Sequence, residues 1–498
     1  MNQATKQPSN QRNKPLSFLL EYFICLGVSF LVVRSLGLSG LLISYLSISL
    51  FLASSSKYFK KILVYPLLIV SFFYMPVGLI YGKPNVGILY SLLETNVTES
   101  LEFISNFPIK VYFYFVVLIF VYGLYVTKRF RATPFRKVKL LVALLLLFYP
   151  KTSAVYQFGR ASYSSFNMYV TSQAEFSAVL NENISIQILK RVPKYKIYVV
   201  VIGESMRKDY MSLYGYPLKT TPFLDSVNGF FLDGYISTAP NTATSLPRTL
   251  VASSGINIIN LAKAANFETY WISNQGYMGV YDTAISKVAV QSDHINFLKH
   301  GEYNSSHHYD EELIPYFKRA LLESNIKNKV IVLHLMGSHP SFDRRVKKDH
   351  YHLKRKELSF YLSTYNETDQ LLKNIYQDLQ STGKSFSLMY FSDHGLSNKN
   401  DRQDDVYLAH RADSKANYEI PFLRLSSDDT VRTFKKAKVS AFHFLSFYSD
   451  WLGIQTNEIT PIKIDSFVTE KVRVFNWSKM VDFNSLKDDP VILPLEKD

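Results

Sequence analysis

Apolar and polar positions divide the chain into two parts with different rhythms. Up to about residue 150, long apolar runs follow one another at 16–38, 40–53, 62–81, 111–126 and 140–149, separated by short polar stretches. A helix needs about 20 residues to cross the hydrocarbon of a bilayer, and these runs approach that length, the second and fifth being the shortest. The pattern predicts five membrane-spanning helices, with an interfacial position as the alternative for a short one. The run 16–38 is long for a signal peptide and no small-residue cleavage site follows it, so it is expected to stay as an anchor. Over 151–193, Ser, Tyr, Asn and Gln interleave with aromatics, which reads as a helical connector on the membrane surface.

Beyond the connector the rhythm changes. Short apolar runs at 197–202, 268–272, 330–335 and 387–391 alternate with helical stretches and predict buried strands of an α/β sheet. The expected organisation is a transmembrane domain over 1–150 with an outer loop at 82–109, the connector over 151–193, and a globular domain over 194–498.

Charge then sets the orientation. The formal charge of +15 comes without zinc-finger spacing or an RNA-binding signature, and much of it flanks the apolar runs, so nucleic acid is not an expected partner. Arg12 and Lys14 precede the first run, Lys57, Lys60 and Lys61 separate the second from the third, and Lys128, Arg129, Arg131, Arg136, Lys137 and Lys139 separate the fourth from the fifth. Basic loops stay cytoplasmic, so the globular domain and the loop at 82–109 are expected outside. The single cysteine, Cys25, excludes an intramolecular disulfide and leaves the compartment to topology. Glu21 and Arg34 stand near the two ends of the first run, within reach of the interface. In the outer loop, Glu94, Thr95, Asn96 and Glu99 fall at helical spacing, as either a headgroup-facing polar side or a solvated helix.

Three of the four strands end in chemistry. The first leads into Gly203-Glu204-Ser205; the third contains His334 and leads through Gly337 to His339; the fourth leads into Asp393-His394-Gly395. Ligands of open α/β sheets gather at the carboxyl ends of strands. Alone, a Glu after a strand is often a helix N-terminal charge and an Asp-His pair a solvated turn. Together, Glu204, Asp393 and His394 make a donor set suited to zinc, with one position left for a nucleophile. The loop Ala-Pro-Asn-Thr-Ala-Thr-Ser-Leu-Pro-Arg at 239–248 leads into an apparent helix with Pro247 in its first turn. A hydroxyl there would meet backbone N–H groups and the helix dipole, and metal coordination would make it a nucleophile. Spacing does not choose between Thr242, Thr244 and Ser245, since Thr244 or Ser245 would equally serve as an N-cap.

At these residues the chain resembles the alkaline-phosphatase/sulfatase superfamily and, within it, the membrane phosphoethanolamine transferases that decorate lipopolysaccharide. The resemblance rests on Gly-Glu-Ser-Met-Arg-Lys-Asp-Tyr-Met-Ser-Leu-Tyr-Gly-Tyr at 203–216, Thr-Thr-Pro-Phe-Leu at 220–224 and Asn-Thr-Ala-Thr-Ser-Leu-Pro-Arg at 241–248. It continues with His-Leu-Met-Gly-Ser-His at 334–339, Ser-Asp-His-Gly at 392–395 and His410. It implies a five-helix bundle joined to a sulfatase-like α/β/α domain with a mostly parallel sheet. It makes Glu204, Asp393 and His394 ligands of one zinc or of the first of two, and Thr242 both ligand and nucleophile. Asn241, His334, His339 and His410 would surround the headgroup, while Thr95, Asn96 and Glu99 would approach the ethanolamine end.

The implied activity is transfer of phosphoethanolamine from phosphatidylethanolamine to lipopolysaccharide, on lipid A or the core oligosaccharide, through phosphothreonine. The implied location is the inner membrane of a Gram-negative bacterium with the catalytic domain in the periplasm; no obligate protein partner is inferred. Lipid A phosphate, heptose, Kdo and periplasmic glucan are all acceptors of suitable chemistry. Two departures stand out: Arg248 replaces a cysteine that disulfide-braced members carry, and Leu396 replaces an acidic residue common after Asp-His-Gly. The alternatives are a phosphoglycerol transferase of the lipoteichoic-acid-synthase type, a membrane-anchored phosphodiesterase or phosphatase, and a non-enzymatic sensor. A sulfatase is disfavoured because no Cys-x-Pro-x-Arg segment is present.

Overall fold

The computed structural model describes residues 14–94, 104, 107, 109–131, 134–181, 184–276, 284–299, 308–323, 327–398 and 406–494. Thr95, Asn96 and Glu99 lie outside the described residues. Two compact units fall within Met1–Leu89 with Ser105–Met168, and within Tyr90–Ile104 with Tyr169–Asp498.

The first unit holds the helices Lys14–Ser35, Leu42–Ala53, Tyr65–Tyr81, Ile109–Thr127 and Arg136–Phe148. Three stretches, Ser17–Ser35, Lys57–Tyr81 and Ile109–Thr127, are long and apolar enough to cross a membrane. The other two expected spans are helices of 12 and 13 residues, which at about 1.5 Å per residue fall short of a hydrocarbon core of about 30 Å. Close helix approach depends on Gly78, where a Cβ would meet the Ser35 carbonyl oxygen at 1.8 Å. Ser71 and Tyr122 share a hydroxyl hydrogen bond of 2.7 Å between two of the long helices.

The 28-residue helix Ala154–Asn181, whose residues up to Met168 belong to the first unit and the rest to the second, covers much of the expected connector. An eight-stranded sheet follows, with β1 Ile197–Gly203, β2 Gly229–Ile236, β3 Glu268–Gly276, β4 His294–Lys299, β5 Lys329–His334, β6 Phe386–Ser392, β7 Glu419–Ser426 and β8 Arg432–Ser440. Their order is β8-β2-β7-β6-β1-β5-β3-β4. Only β7 runs antiparallel to its neighbours β2 and β6, so β2 recovers the direction of β1, β5 and β6. The carboxyl ends of these four strands therefore share one edge.

Every residue of β1 is buried, and its alternating side chains enter two cores. Tyr198, Val200 and Ile202 pack with Leu261 and Phe444 on one face; Ile197, Val199 and Val201 pack with Leu362 and Phe317 on the other. These helical partners make a three-layer α/β/α arrangement around a mostly parallel sheet. The four strands expected from the sequence are β1, β3, β5 and β6. Among those not expected, β7 carries Pro421, which the sheet tolerates at a register irregularity between Ile420 and Phe422. The strand β8 is Lys-rich because it forms a sheet edge, where lysine discourages further pairing.

Candidate metal centre and nucleophile

Where β1 leaves the sheet, Glu204 is followed by Ser205 in the left-handed region at φ 57. That turn presents Ser205 N–H to Asp393 Oδ1 at 3.0 Å, and His394 N–H donates to the same oxygen at 2.7 Å. Glu204 Oε1 accepts from Ser205 Oγ at 2.7 Å. His394 Nδ1 lies 2.9 Å from the Gly395 carbonyl oxygen; donation there turns Nε2 toward the carboxylates, where it would offer its lone pair to a bound metal. Nε2 stands 3.2 Å from Glu204 Oε1 and 3.3 Å from Asp393 Oδ2. One potential ligand atom from each of the three lies within 4.8 Å of the others, and all three residues are buried. The loop after β5 closes this side through Gly337 at φ +49, where a Cβ would stand 2.9 Å from Glu204 N.

The electrostatics call for a cation. Burial opposes ionisation of Glu204, but the hydrogen bond and charge of His394 outweigh it and hold the carboxyl well below the usual range. Burial, then the charge of Glu204, pushes Asp393 up to about 7. For His394 burial works against the charge, yet Asp393 and Glu204 raise it to about 9. Asp393 Oδ2 is buried without a hydrogen-bond partner, and an unpaired buried acceptor is costly. Two carboxylates and an imidazole around such an atom fit a zinc ion.

Thr242 completes the cluster. The helix begins at Thr242 itself, spans Thr242–Leu250, and has Asn241 as its N-cap; Thr244 and Ser245 lie inside it, and Pro247 is interior rather than in the first turn. The helix starts earlier than expected because Asn241, in extended conformation at φ −155, already supplies the carbonyl that accepts from Ser245 N–H at 2.8 Å. Thr242 Oγ1 donates to Glu204 Oε2 at 2.9 Å and lies 3.2 Å from His394 Nε2. The neighbouring hydroxyls face elsewhere. Thr244 Oγ1 donates to Asn241 Oδ1, and Ser245 Oγ donates to the Asp393 carbonyl at 2.8 Å beside Ser237 Oγ at 2.6 Å.

The histidines differ in environment. His334 ends β5 fully buried, edge-on to Trp271 at 5.9 Å; its Nε2 has no hydrogen-bond partner, and burial lowers it to about 4, so it is neutral near pH 7. His410 places its ring 4.8 Å from that of His394. His339 stands in the loop after β5, with Nδ1 3.3 Å from the Pro340 carbonyl oxygen. Leu396 is wholly buried in the core and its carbonyl accepts from Arg207 Nη1 at 3.3 Å, so that position serves packing here. Arg248 donates to the Thr244 carbonyl at 2.7 Å and lies over the Phe475 ring at 4.3 Å.

Two residues escaped the sequence reading. Asp310 accepts from Met336 N–H at 2.8 Å, Gly337 N–H at 2.7 Å and Asn274 Nδ2 at 2.8 Å, tying down the loop that presses on Glu204. Trp477 donates from Nε1 to Asn241 Oδ1 at 2.8 Å. Both are remote in sequence from what they hold, and no spacing rule links them to it.

Comparison with known proteins adds to this geometry. The sulfatase family model matches residues 196–454. The phosphoethanolamine transferase OpgE of Escherichia coli is 36% identical over 465 residues, covering 86% of this chain and 88% of the relative. A putative phosphoethanolamine transferase of Haemophilus influenzae is 32% identical over 387 residues, covering 74% and 77%. Among solved structures, the integral membrane lipooligosaccharide phosphoethanolamine transferase A of Neisseria meningitidis aligns at TM-score 0.59 and 17% identity, over 88% of this chain and 96% of that one. The zinc complex of the periplasmic domain of EptC from Escherichia coli aligns at TM-score 0.53 and 24% identity, over 61% and 98%. At these identities the two structures establish likeness of fold.

Proposed function

The chain belongs to the sulfatase family, among its phosphoethanolamine transferases, and from that premise we propose that it carries phosphoethanolamine from phosphatidylethanolamine to lipopolysaccharide through phosphothreonine at Thr242. The observation that carries this reading is Thr242 Oγ1 at 2.9 Å from Glu204 Oε2 and 3.2 Å from His394 Nε2, at a helix N-terminus. Glu204, Thr242, Asp393 and His394 would hold a zinc ion, whose charge would acidify the hydroxyl and offset charge on the transferring group.

In the first step Thr242 Oγ bonds to phosphorus, the ester bond to diacylglycerol breaks, and diacylglycerol leaves with a proton. In the second an acceptor oxygen of lipopolysaccharide bonds to phosphorus and gives up its proton while Thr242 recovers one. His339 and His410 carry these protons; His334, neutral near pH 7, serves as a hydrogen-bonding wall. Asn241 faces the phosphate, and Thr95, Asn96 and Glu99 of the outer loop meet the ethanolamine end.

The domains on this reading are the membrane part over 1–150, the surface connector over 151–193 and the catalytic domain over 194–498, facing the periplasm from the inner membrane. The basic flanks of alternate apolar runs support that orientation when all five runs cross; with three crossings the basic stretches near Lys60 and Arg131 would fall outside and the loop at 82–109 inside, against the charge rule. Purified full-length protein given phosphatidylethanolamine without acceptor should gain one phosphoethanolamine, mapped by peptide mass spectrometry to Thr242. Lipopolysaccharide from cells carrying the protein should gain the same group. An adduct on another residue, or undiminished transfer by Thr242→Ala, would refute the assignment.

A further inference from the structure

Asn241 is the N-cap of the nucleophile's helix, yet its side chain does not cap it. An N-cap side-chain oxygen ordinarily accepts from the second or third helical N–H. Here Oδ1 is turned to Trp477 Nε1 at 2.8 Å and also accepts from Thr244 Oγ1. An indole N–H only donates, so the amide atom facing it has to be the oxygen, and the orientation of the amide follows. The Nδ2 group, with two N–H donors, then has no hydrogen-bond partner among the described residues, in a side chain next to Thr242 whose residue is 6% exposed.

The holder is itself held. Trp477 sits at φ 64, in the turn of a hairpin between strands Arg473–Phe475 and Met480–Asp482, and is mostly buried. A bulky residue in the left-handed region is strained, and such residues persist where their surroundings over-determine them. Two contacts do so. Phe475 N–H donates to the Thr238 carbonyl at 2.8 Å, and the Arg248 guanidinium lies over the Phe475 ring at 4.3 Å. The hairpin thus grips the nucleophile loop at Thr238, at Asn241 and at Arg248.

We propose that Asn241 Nδ2 donates to one non-bridging oxygen of the phosphoryl group as it moves to and from Thr242, and that Trp477 is the residue that positions this donor. The inference rests on the reading of Thr242 as nucleophile and deepens it. A fixed donor near the point of bond exchange requires no reorganisation as charge grows on the phosphoryl oxygens, the condition under which such groups contribute most. The sheet edge supplies anionic ligands, so without Asn241 the non-bridging oxygens would face fewer side-chain donors.

The test uses full-length protein in detergent, with zinc content measured, and phosphatidylethanolamine analogues in which one or the other non-bridging oxygen is sulfur. Sulfur is a poor hydrogen-bond acceptor, so the wild type should turn over one diastereomer more slowly for want of the Asn241 bond. Asn241→Asp keeps an acceptor for Trp477 but removes the donors. It should retain zinc, lower kcat for the oxygen donor by about 10²-fold, and abolish the extra penalty for that diastereomer. Trp477→Phe should abolish the same penalty with a smaller loss, about 10-fold, and little change in KM. A wild-type sulfur penalty unchanged in both variants, or loss of zinc in both, would overturn the proposal. Phosphoethanolamine still trapped on Thr242 in those cases would leave the nucleophile assignment standing; absence of any adduct in the wild type would remove both.

Discussion

In the membrane unit Glu21 is buried with Oε1 lacking a hydrogen-bond partner, and the buried Ser47 and Ser49 hydroxyls lack one too. At the sheet edge Glu204 is just as buried, but its oxygens accept from Ser205 and Thr242. A buried polar group costs free energy unless it is paired. In the helices the unpaired groups are scattered, with no second carboxylate or imidazole beside them in a ligand cluster among the described residues. At the edge every oxygen of the two carboxylates but Asp393 Oδ2 is satisfied by hydrogen bonds, and that one faces the imidazole. Isolated deficits point to packing; an orphaned carboxylate oxygen beside a second carboxylate and an imidazole fits a cation.

The largest effect expected from this contrast is all-or-none and concerns the helices. If their task is to cross the membrane and carry the second unit outside, a reporter active only outside the cytoplasm should work when fused after Asp498. It should be silent when fused near Arg131, in the basic stretch. Activity in the reverse pattern would remove the periplasmic site of action.

Next in size is the metal. Asp393→Ala should lower bound zinc to near zero, read by elemental analysis of purified protein, and turnover by roughly 10³-fold. Glu21→Gln, which alters a buried carboxyl of the other unit, should leave zinc content intact and turnover within about 2-fold. Equal losses from the two substitutions would erase the distinction drawn between the regions.

The same contrast explains what could be read beforehand. The cluster of Glu204, Asp393 and His394 was legible because buried strands read as apolar runs, and parallel strands bring their ends to one edge whatever the intervening loops do. The spans were less legible. The second and fifth runs were already the shortest in the sequence, and they are the two whose helices, Leu42–Ala53 and Arg136–Phe148, are shorter than the roughly 20 residues a crossing takes. Thr242 needed the family resemblance, since spacing treats its neighbours alike; in three dimensions Ser245 is bound to the Asp393 backbone and Thr244 to Asn241. Asp310 and Trp477 left no local signal, being coupled to the site through tertiary contacts alone.

A smaller effect should come from Asp310, whose carboxylate organises the loop without being placed in the metal cluster. Asp310→Asn keeps the shape but offers a single carbonyl oxygen to two backbone N–H groups, Met336 and Gly337. Leaving one of them unpaired should cost about 1–3 kcal/mol in stability, measured by thermal unfolding. Because Gly337 abuts Glu204, kcat should fall as well, by about 10-fold, with zinc still bound. Wild-type kcat in a destabilised Asp310→Asn protein would show that the loop tolerates movement.

The smallest effect expected is a pH dependence built into the scaffold at Asp369. This residue of the helix Lys356–Ser381 accepts from Phe223 N–H at 2.8 Å and Leu224 N–H at 3.0 Å, fixing the Thr-Thr-Pro-Phe-Leu turn. Burial pushes its carboxyl up to about 6; the backbone bonds pull the other way without cancelling the shift, Asp225 adds to it and Lys373 opposes it. In the unfolded chain an aspartate titrates near 3.9, so the folded state binds the proton more tightly. The stabilisation is complete below about pH 4 and disappears as pH rises through 6. Between pH 5 and pH 7.5 the wild type should therefore lose about 1 kcal/mol that Asp369→Asn does not lose, a difference of about 2 °C in the change of Tm. The variant should be less stable at both values, because one N–H loses its acceptor, but its slope with pH should be shallower. Equal slopes would mean that Asp369 titrates alike in the folded and unfolded chain, and that its burial carries no electrostatic cost.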